Sequence, residues 1–366
     1  MIKTRLAKLR GLLARQGVDA LLVTLPANRR YLSGFAAEDG QWGESSGALL
    51  ISQNAALLLT DFRYELTARA QAPYFETLIY QRGLPGLLAA VVPELGVKTL
   101  AYESEAMLDL WRRRIEAKLD GVEMRPTEGL VSQLRVVKNA AELEALRASL
   151  ALMEKVLDQA LAGEIVGRSE RELARSIARA VEDAGAEGPA FDPIVAAGPN
   201  GAEPHAESGP RIIQRGDPVV FDVGARLDGY CSDISRTVVA GGLEAADERF
   251  KEIYALTRRA QLKALEEIRP GMSGGQADAV AREVIEQGGF GPRFGHSLGH
   301  GVGLATHEDP RVGPRAEDQL QPGMVFTIEP GIYLPGWGGV RLEDMVALTA
   351  GGCRRLGSLD RFYDLE

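Results

Sequence analysis

The chain holds little that would tie it to a disulfide scaffold, a membrane or a nucleic acid. It has only 2 cysteines, Cys231 and Cys353, which make neither a disulfide framework nor a CxxC metal cluster, so a reducing compartment, the cytoplasm, is expected. Basic residues are outnumbered: 42 Lys plus Arg stand against 51 Asp plus Glu, a net charge of -9. Long-range attraction to nucleic acid or to anionic lipid is therefore not expected. Long apolar runs are missing as well. Between Met1 and Gln16 the leucines are interrupted by Lys3, Arg5, Lys8, Arg10 and Arg15, which leaves no signal core and no spanning helix there, so neither export nor a membrane anchor is expected.

What is present is ordinary for a globular protein: 45% hydrophobic and 25% charged residues, enough to bury a real core. At about 150 residues per domain, a length of 366 predicts two domains. Leu6, Leu9, Leu12 and Leu13 recur at helical spacing before Gly17, and a strand follows over 20–24. Apolar runs at 48–51, 56–60, 78–80 and 99–102 then alternate with helical stretches near 62–70, 85–95 and 104–119. Such alternation predicts an α/β domain over 1–128. The Gly-rich stretch 38–47 reads as a long loop with Trp42 inside it, either a contact surface or a packed anchor. Pro126, Thr127 and Gly129 mark a connection. The remainder, 129–366, carries amphipathic helices at 140–162, 168–184, 245–268 and 275–287. Its strand segments, 191–197, 218–225, 230–240, 324–329 and 340–348, cluster as hairpins, which predicts an α+β domain with a largely antiparallel sheet.

The chemistry concentrates in this second domain. Asp228-Gly229 between two apolar runs is a two-residue hairpin signal. With those residues at the turn, Leu227 pairs with Tyr230, Asp222 faces Ser235 and Asp233 faces Gly224. Asp222 and Asp233 then lie diagonally on one face, with Cβ atoms roughly 7 Å apart, close enough to reach one cluster of cations. An unpaired carboxylate in so apolar a strand is costly to bury, so Asp222 calls for a cation or donors nearby. An exposed aspartate on the solvent face of a hairpin is the alternative. All 4 histidines, His205, His296, His300 and His307, fall around this hairpin in the sequence. His296 and His300 have the spacing of a zinc-binding helix, but Gly295, Gly299, Gly301 and Gly303 argue for extended backbone, and no HExxH is present. Glu329 ends an apolar strand, and Arg341 and Glu343 share a face of the next. Asp222, Asp233, His300, Glu329 and Glu343 together offer four carboxylates and one imidazole, a mostly oxygen-donor set suited to a dinuclear centre of Mn²⁺, Co²⁺, Zn²⁺ or Fe²⁺.

The ordered motifs DVG (222–224), GYCSDISRT (229–237), GHSLGHGVGLATHE (295–308), TIEPGIY (327–333) and GVRLED (339–344) resemble the pita-bread-fold metallopeptidases, the group of methionine aminopeptidase, aminopeptidase P, prolidase and creatinase. The preceding domain resembles the creatinase-type amino-terminal domain of the Xaa-Pro peptidases, which methionine aminopeptidases generally lack. The resemblance implies a creatinase-type α/β domain followed by a pita-bread catalytic domain. It also implies hydrolysis of the bond between a free amino-terminal residue and a following proline, in a dipeptide (prolidase, the favoured reading) or in a longer peptide (aminopeptidase P). Carried over by position, it implies that Asp222 chelates one metal ion, that His300 and Glu329 hold the other, and that Asp233 and Glu343 bridge both, with Mn²⁺ the first expectation. It further implies Glu329 as proton shuttle, His205 in contact with substrate, His307 steadying the scissile carbonyl and oxyanion, His296 lining the proline-side pocket, and Tyr333 and Arg341 as a relay. Partners limited to proline-containing di- or short peptides, and a homodimer, follow from the same resemblance. A dipeptide's terminal carboxylate calls for a cation, for which Arg29, Arg30, Arg311 and Arg315 are candidates against the ordinary reading of solvated arginines. A metal-free creatinase-like amidinohydrolase or an inactive binding protein on this fold would lack ligands, and all five are present.

Overall fold

The computed structural model describes residues 1–40 and 43–365, so Trp42 lies outside the described residues. The chain divides into two compact units, Met1–Arg135 and Val136–Glu366. The division comes later than the 128/129 join expected from the sequence. The stretch read there as a connection holds a strand, Glu123–Thr127, and a short helix, Ser132–Arg135. Both are tied to the first unit: Met124 pairs with Leu100 in parallel register, Tyr31 OH donates to Leu134 O at 2.7 Å, and Arg135 Nη1 donates to Asn28 Oδ1 at 2.7 Å.

The first unit is built on a mixed six-stranded sheet in the order Glu76–Ile79, Ala56–Thr60, Ala48–Ser52, Ala20–Val23, Thr99–Glu103, Glu123–Thr127. The central strands bury every residue, as a sheet covered on both faces requires. Leu22, Leu50, Leu59, Leu88, Val92 and Ile115 join its core. The helix expected over 104–119 is shorter, Asp109–Glu116, because Ala106 N and Met107 N first turn back onto Glu103 O. A helix the sequence did not signal runs Pro26–Ser33. Leu25 at its N-cap offers no side-chain oxygen; Glu103, from a distant strand, instead accepts from Thr24 N and Leu25 N at 2.7 Å each. Arg29 on this helix is fully buried and donates to Ala37 O at 2.9 Å, Asp39 Oδ1 at 2.9 Å and Ser46 Oγ at 2.8 Å. Its guanidinium is spent on its own loop, so it is not the free cation considered for a substrate carboxylate.

In the second unit the helices Ala140–Ala162, Glu170–Asp183 and Gly274–Gln287 each open with a capping box, and Glu248–Glu267 opens on the Asp247 side chain. Every pairing between its named strands is antiparallel. One sheet orders Ile234–Val239, Pro218–Val223 and Ile194–Ala197; another orders Glu308–Val312, Gly299–Gly301, Val325–Ile328, Asp344–Thr349 and Gly352–Arg355. No helix among the described residues is long and apolar enough to cross a membrane.

The hairpin has the register expected: Leu227 pairs with Tyr230 and Asp222 with Ser235. Asp228 and Gly229 take φ of 50° and 80°, the left-handed pair of a type I′ turn. Its arms are nevertheless broken rather than continuous, with Ala225–Leu227 and Tyr230–Cys231 separate from the strands beyond them. At the break a Cβ on Gly224 would lie 2.1 Å from Ser232 O, so only glycine lets the arms approach there. The strand expected over 340–348 is also two, Gly338–Arg341 and Asp344–Thr349. The breaks fall at Asp233 and Glu343, residues of the candidate metal set.

Candidate active site

Strands from three separate stretches bring the acids together. Asp222 is next to last in Pro218–Val223, Asp233 sits in the hairpin break, Glu329 follows Val325–Ile328, and Glu343 lies between Gly338–Arg341 and Asp344–Thr349. His300 is the middle residue of Gly299–Gly301. A Cβ on Gly299 would meet Thr327 O at 1.9 Å, so this glycine allows the strand pairing that sets His300 beside Glu329. His300 N donates to Thr327 Oγ1 at 3.1 Å, and Thr327 Oγ1 donates to Glu329 Oε1 at 3.0 Å.

Ligand atoms of Asp233, His300 and Glu343 all lie within 4.8 Å of one another. His300 Nε2 stands 3.6 Å from Asp233 Oδ2 and 3.4 Å from Glu329 Oε1, beyond good hydrogen-bond length. Its Nδ1 faces Gly301 O at 3.1 Å, which places the proton there and leaves the Nε2 lone pair toward the acids. Asp222 is held by Arg341 Nη2 through Oδ2, while its Oδ1 is buried with no hydrogen-bond partner. An orphaned carboxylate oxygen, an inward imidazole lone pair and crowded acids fit divalent cations. The pair of ions is what this donor set could hold.

The electrostatics say the same. Burial, then Glu343 and Asp222, push the Asp233 carboxyl well above its usual range; burial, then Glu329 and Asp222, do so for Glu343. Burial raises Glu329 to about 8 against the opposing pull of Arg341. Burial, reinforced by His307, lowers His300 to about 4, so its imidazole is neutral at pH 7. These are the signs of acids that lack their counter-charge.

Arg341 is a cation buried among the acids. It donates from Nε to Ser235 Oγ at 3.0 Å and from Nη1 to Tyr333 OH at 3.0 Å and Pro204 O at 2.9 Å. Ser235 Oγ in turn donates to Glu343 Oε2 at 2.6 Å. Arg341, hydrogen-bonded to Tyr333, thus reaches Asp222 directly and Glu343 through Ser235. Tyr333 OH meets His296 Nε2 at 2.9 Å, and burial raises the phenol to about 12. Burial, then the Arg341 charge, lowers His296 to about 4. The His307 ring stacks on His300 with centroids 4.0 Å apart, and burial, then His205, lowers its pKa. His205 is exposed, next to the Pro204 carbonyl that Arg341 holds.

Residues 144–350 match the metallopeptidase family M24, and residues 5–137 match the Creatinase/Prolidase N-terminal domain. The chain belongs to metallopeptidase family M24. Within reach of this M24 chain is the Xaa-Pro dipeptidase of Pyrococcus furiosus, 34% identical over 98% of this chain and 99% of the relative. A solved Xaa-Pro dipeptidase from Bacillus anthracis superposes with a TM-score of 0.91 at 35% identity, covering 97% of each chain. The X-Pro aminopeptidase structure from Thermotoga maritima gives a TM-score of 0.85 at 36% identity over 95% of this chain and 98% of that one. The creatinase-type domain followed by a pita-bread domain is thus the fold of this M24 metallopeptidase.

Reading the sequence missed the hydrogen-bonding support that Ser235, Thr327 and Glu170 give to the candidate residues and their loops. Ser235 was legible as the residue facing Asp222 in the hairpin, and Thr327 as the same-face neighbour of Glu329. Glu170 gave no local signal; buried at a helix start, it accepts from Ala197 N, Asn200 Nδ2 and Gly209 N at 2.8, 2.9 and 2.9 Å and so frames the loop that carries His205.

Proposed function

We propose that this M24 metallopeptidase hydrolyses the bond between an amino-terminal residue and a following proline in dipeptides, the reaction of an Xaa-Pro dipeptidase. The observation that carries the reading is the set of buried acids around His300 Nε2 in a chain that resembles, along nearly its whole length, proteins named Xaa-Pro dipeptidase.

Asp222, Asp233, His300, Glu329 and Glu343 would hold two divalent ions. When bound, such ions supply Lewis-acid chemistry and a water nucleophile at neutral pH. The rest belongs to the chain's own side chains. Glu329 takes the proton of the attacking water and delivers it to the proline nitrogen, which leaves as a secondary amine. His307, exposed and with its ring on that of His300, donates to the oxyanion that forms as the carbonyl is attacked. His205 contacts the substrate from the loop held by Arg341 and Glu170. Neutral His296, fixed against Tyr333 OH, lines the proline-side pocket. An Xaa-Pro bond has no N–H, so a pocket shaped for the ring loses no contact with it, unlike a site that reads the amide donor.

Mn²⁺ as resident metal is supported by the four-carboxylate, one-imidazole set, and a cytoplasmic location by two free cysteines. A homodimer, with no nucleic-acid or membrane partner, completes the proposal. The second reading, an Xaa-Pro aminopeptidase acting on longer peptides, is favoured by the likeness to the Thermotoga maritima enzyme. Proline release by Mn²⁺-loaded protein from Xaa-Pro dipeptides and from Xaa-Pro-Yaa tripeptides decides. Turnover of dipeptides alone supports the dipeptidase; efficient cleavage of tripeptides selects the second reading. Consumption of creatine by metal-free protein would overturn both.

A further inference from the structure

The segment Phe294–Leu298, which carries His296 into the strand of His300, lies outside any strand, yet its backbone is held at Phe294, His296 and Leu298. The grip comes from one ion pair on the helix Gly274–Gln287. Asp278 and Arg282 stand four residues apart on one helix face and pair at 2.6 Å. Asp278 Oδ1 accepts from Leu298 N at 2.8 Å. Arg282 donates from Nη1 to Phe294 O and from Nη2 to His296 O, both at 2.8 Å. The guanidinium also lies 4.2 Å from the Phe294 ring centre, and that ring meets His296 edge-on at 5.1 Å and 90°. Alternate residues of the segment are thus fixed by one fork. Beyond it, Leu298 O accepts from Glu329 N at 2.9 Å.

An ordinary helical pair of this spacing is exposed and contributes a few tenths of a kcal/mol. Here Asp278 is only 1% exposed. A buried pair is weak support for stability, since an apolar pair of similar volume serves as well. Its geometry accounts for it better: the pair supplies the hydrogen bonds of two carbonyls and one amide of the segment that carries His296. We infer that Asp278 and Arg282 are positioning residues that set the His296 ring against Tyr333 and thereby the proline-side pocket. The inference rests on the Xaa-Pro peptidase reading for its kinetic consequence but not for its structural one.

The test joins kinetics to the His296 ring signal in labelled, Mg²⁺- or Zn²⁺-loaded diamagnetic protein, assigned by His296→Ala. Arg282→Gln is expected to shift that signal and to raise the KM for an Xaa-Pro dipeptide roughly 10-fold, with kcat and metal content changed far less. In the His296→Ala background, Arg282→Gln is expected to cost nothing further. Arg282→Lys keeps the charge for Asp278 but not the fork; it is expected to regain wild-type thermal stability without regaining KM, and it carries the test if Arg282→Gln does not fold. An unmoved His296 signal, or a second full penalty in the His296→Ala background, would overturn the inference. Wild-type protein that releases no proline would instead overturn the peptidase reading, and the ring signal would still judge the clamp.

Discussion

Stripping the ions exposes the cost of the acid cluster, and pH reveals it. In ion-free protein, burial and mutual repulsion raise Asp233, Glu329 and Glu343, Glu329 from 4.5 to about 8. The folded state then binds more protons than the unfolded chain at pH values between the unfolded and folded pKa, so stability falls as pH rises through that window. Three histidines act the other way: burial holds His296 and His300 near 4 and lowers His307, so the folded state binds fewer protons than the unfolded chain below about 6.5. The two groups oppose each other below pH 6.5, and only the acids remain above it. From 6.5 to 8 the raised Glu329 carboxyl alone costs about 2 kcal/mol, and Asp233 and Glu343 act in the same direction. For a unit of this size the Glu329 share lowers Tm by roughly 4–8 °C. Thermal unfolding of chelator-treated protein should show this fall, and added Mn²⁺ should raise Tm by more at pH 8 than at pH 6.5. Glu329→Gln should flatten part of the slope. A Tm that stays level or rises between pH 6.5 and 8 without metal would refute the crowding of unpaired acids.

Three substitutions probe single roles. Asp233→Asn should nearly abolish proline release while far-UV circular dichroism stays native, and bound metal measured by mass spectrometry should drop; full metal with near-normal turnover would contradict a bridging role. Ser235→Ala removes the donor to Glu343 and the acceptor for Arg341, so metal affinity by titration should weaken on the order of 10–100-fold. His307→Ala should lower kcat on the order of 10²-fold with metal content unchanged, the loss expected for one oxyanion donor; lost metal with intact turnover per loaded site would make His307 a ligand.

Much of this was legible in the sequence because the signals were local. Asp228-Gly229 fixed the turn, and with it the register that sets Asp222 across from Ser235. Apolar spacing marked the helices Ala140–Ala162 and Gly274–Gln287 to within a residue or two. What was not legible came from distant partners. The helix Pro26–Ser33 takes its cap from Glu103, far along the chain, and Ser132–Arg135 joins the first unit through Asn28 and Tyr31. The breaks at Asp233 and Glu343 are set by neighbouring strands, such as the approach of Ser232 to Gly224, and no local pattern announces them. The meeting of His300 with Glu329 depends on strand pairing through Gly299 and Thr327, which spacing alone does not give.

The most direct measurement is anomalous diffraction from crystals of Mn²⁺-loaded protein, recorded at the manganese edge. The account predicts two peaks roughly 3.5–4 Å apart, ligated by Asp222, Asp233, His300, Glu329 and Glu343, with Asp222 Oδ1 no longer without a partner. No peak among these side chains in fully loaded, active crystals, or peaks bound elsewhere, would contradict it.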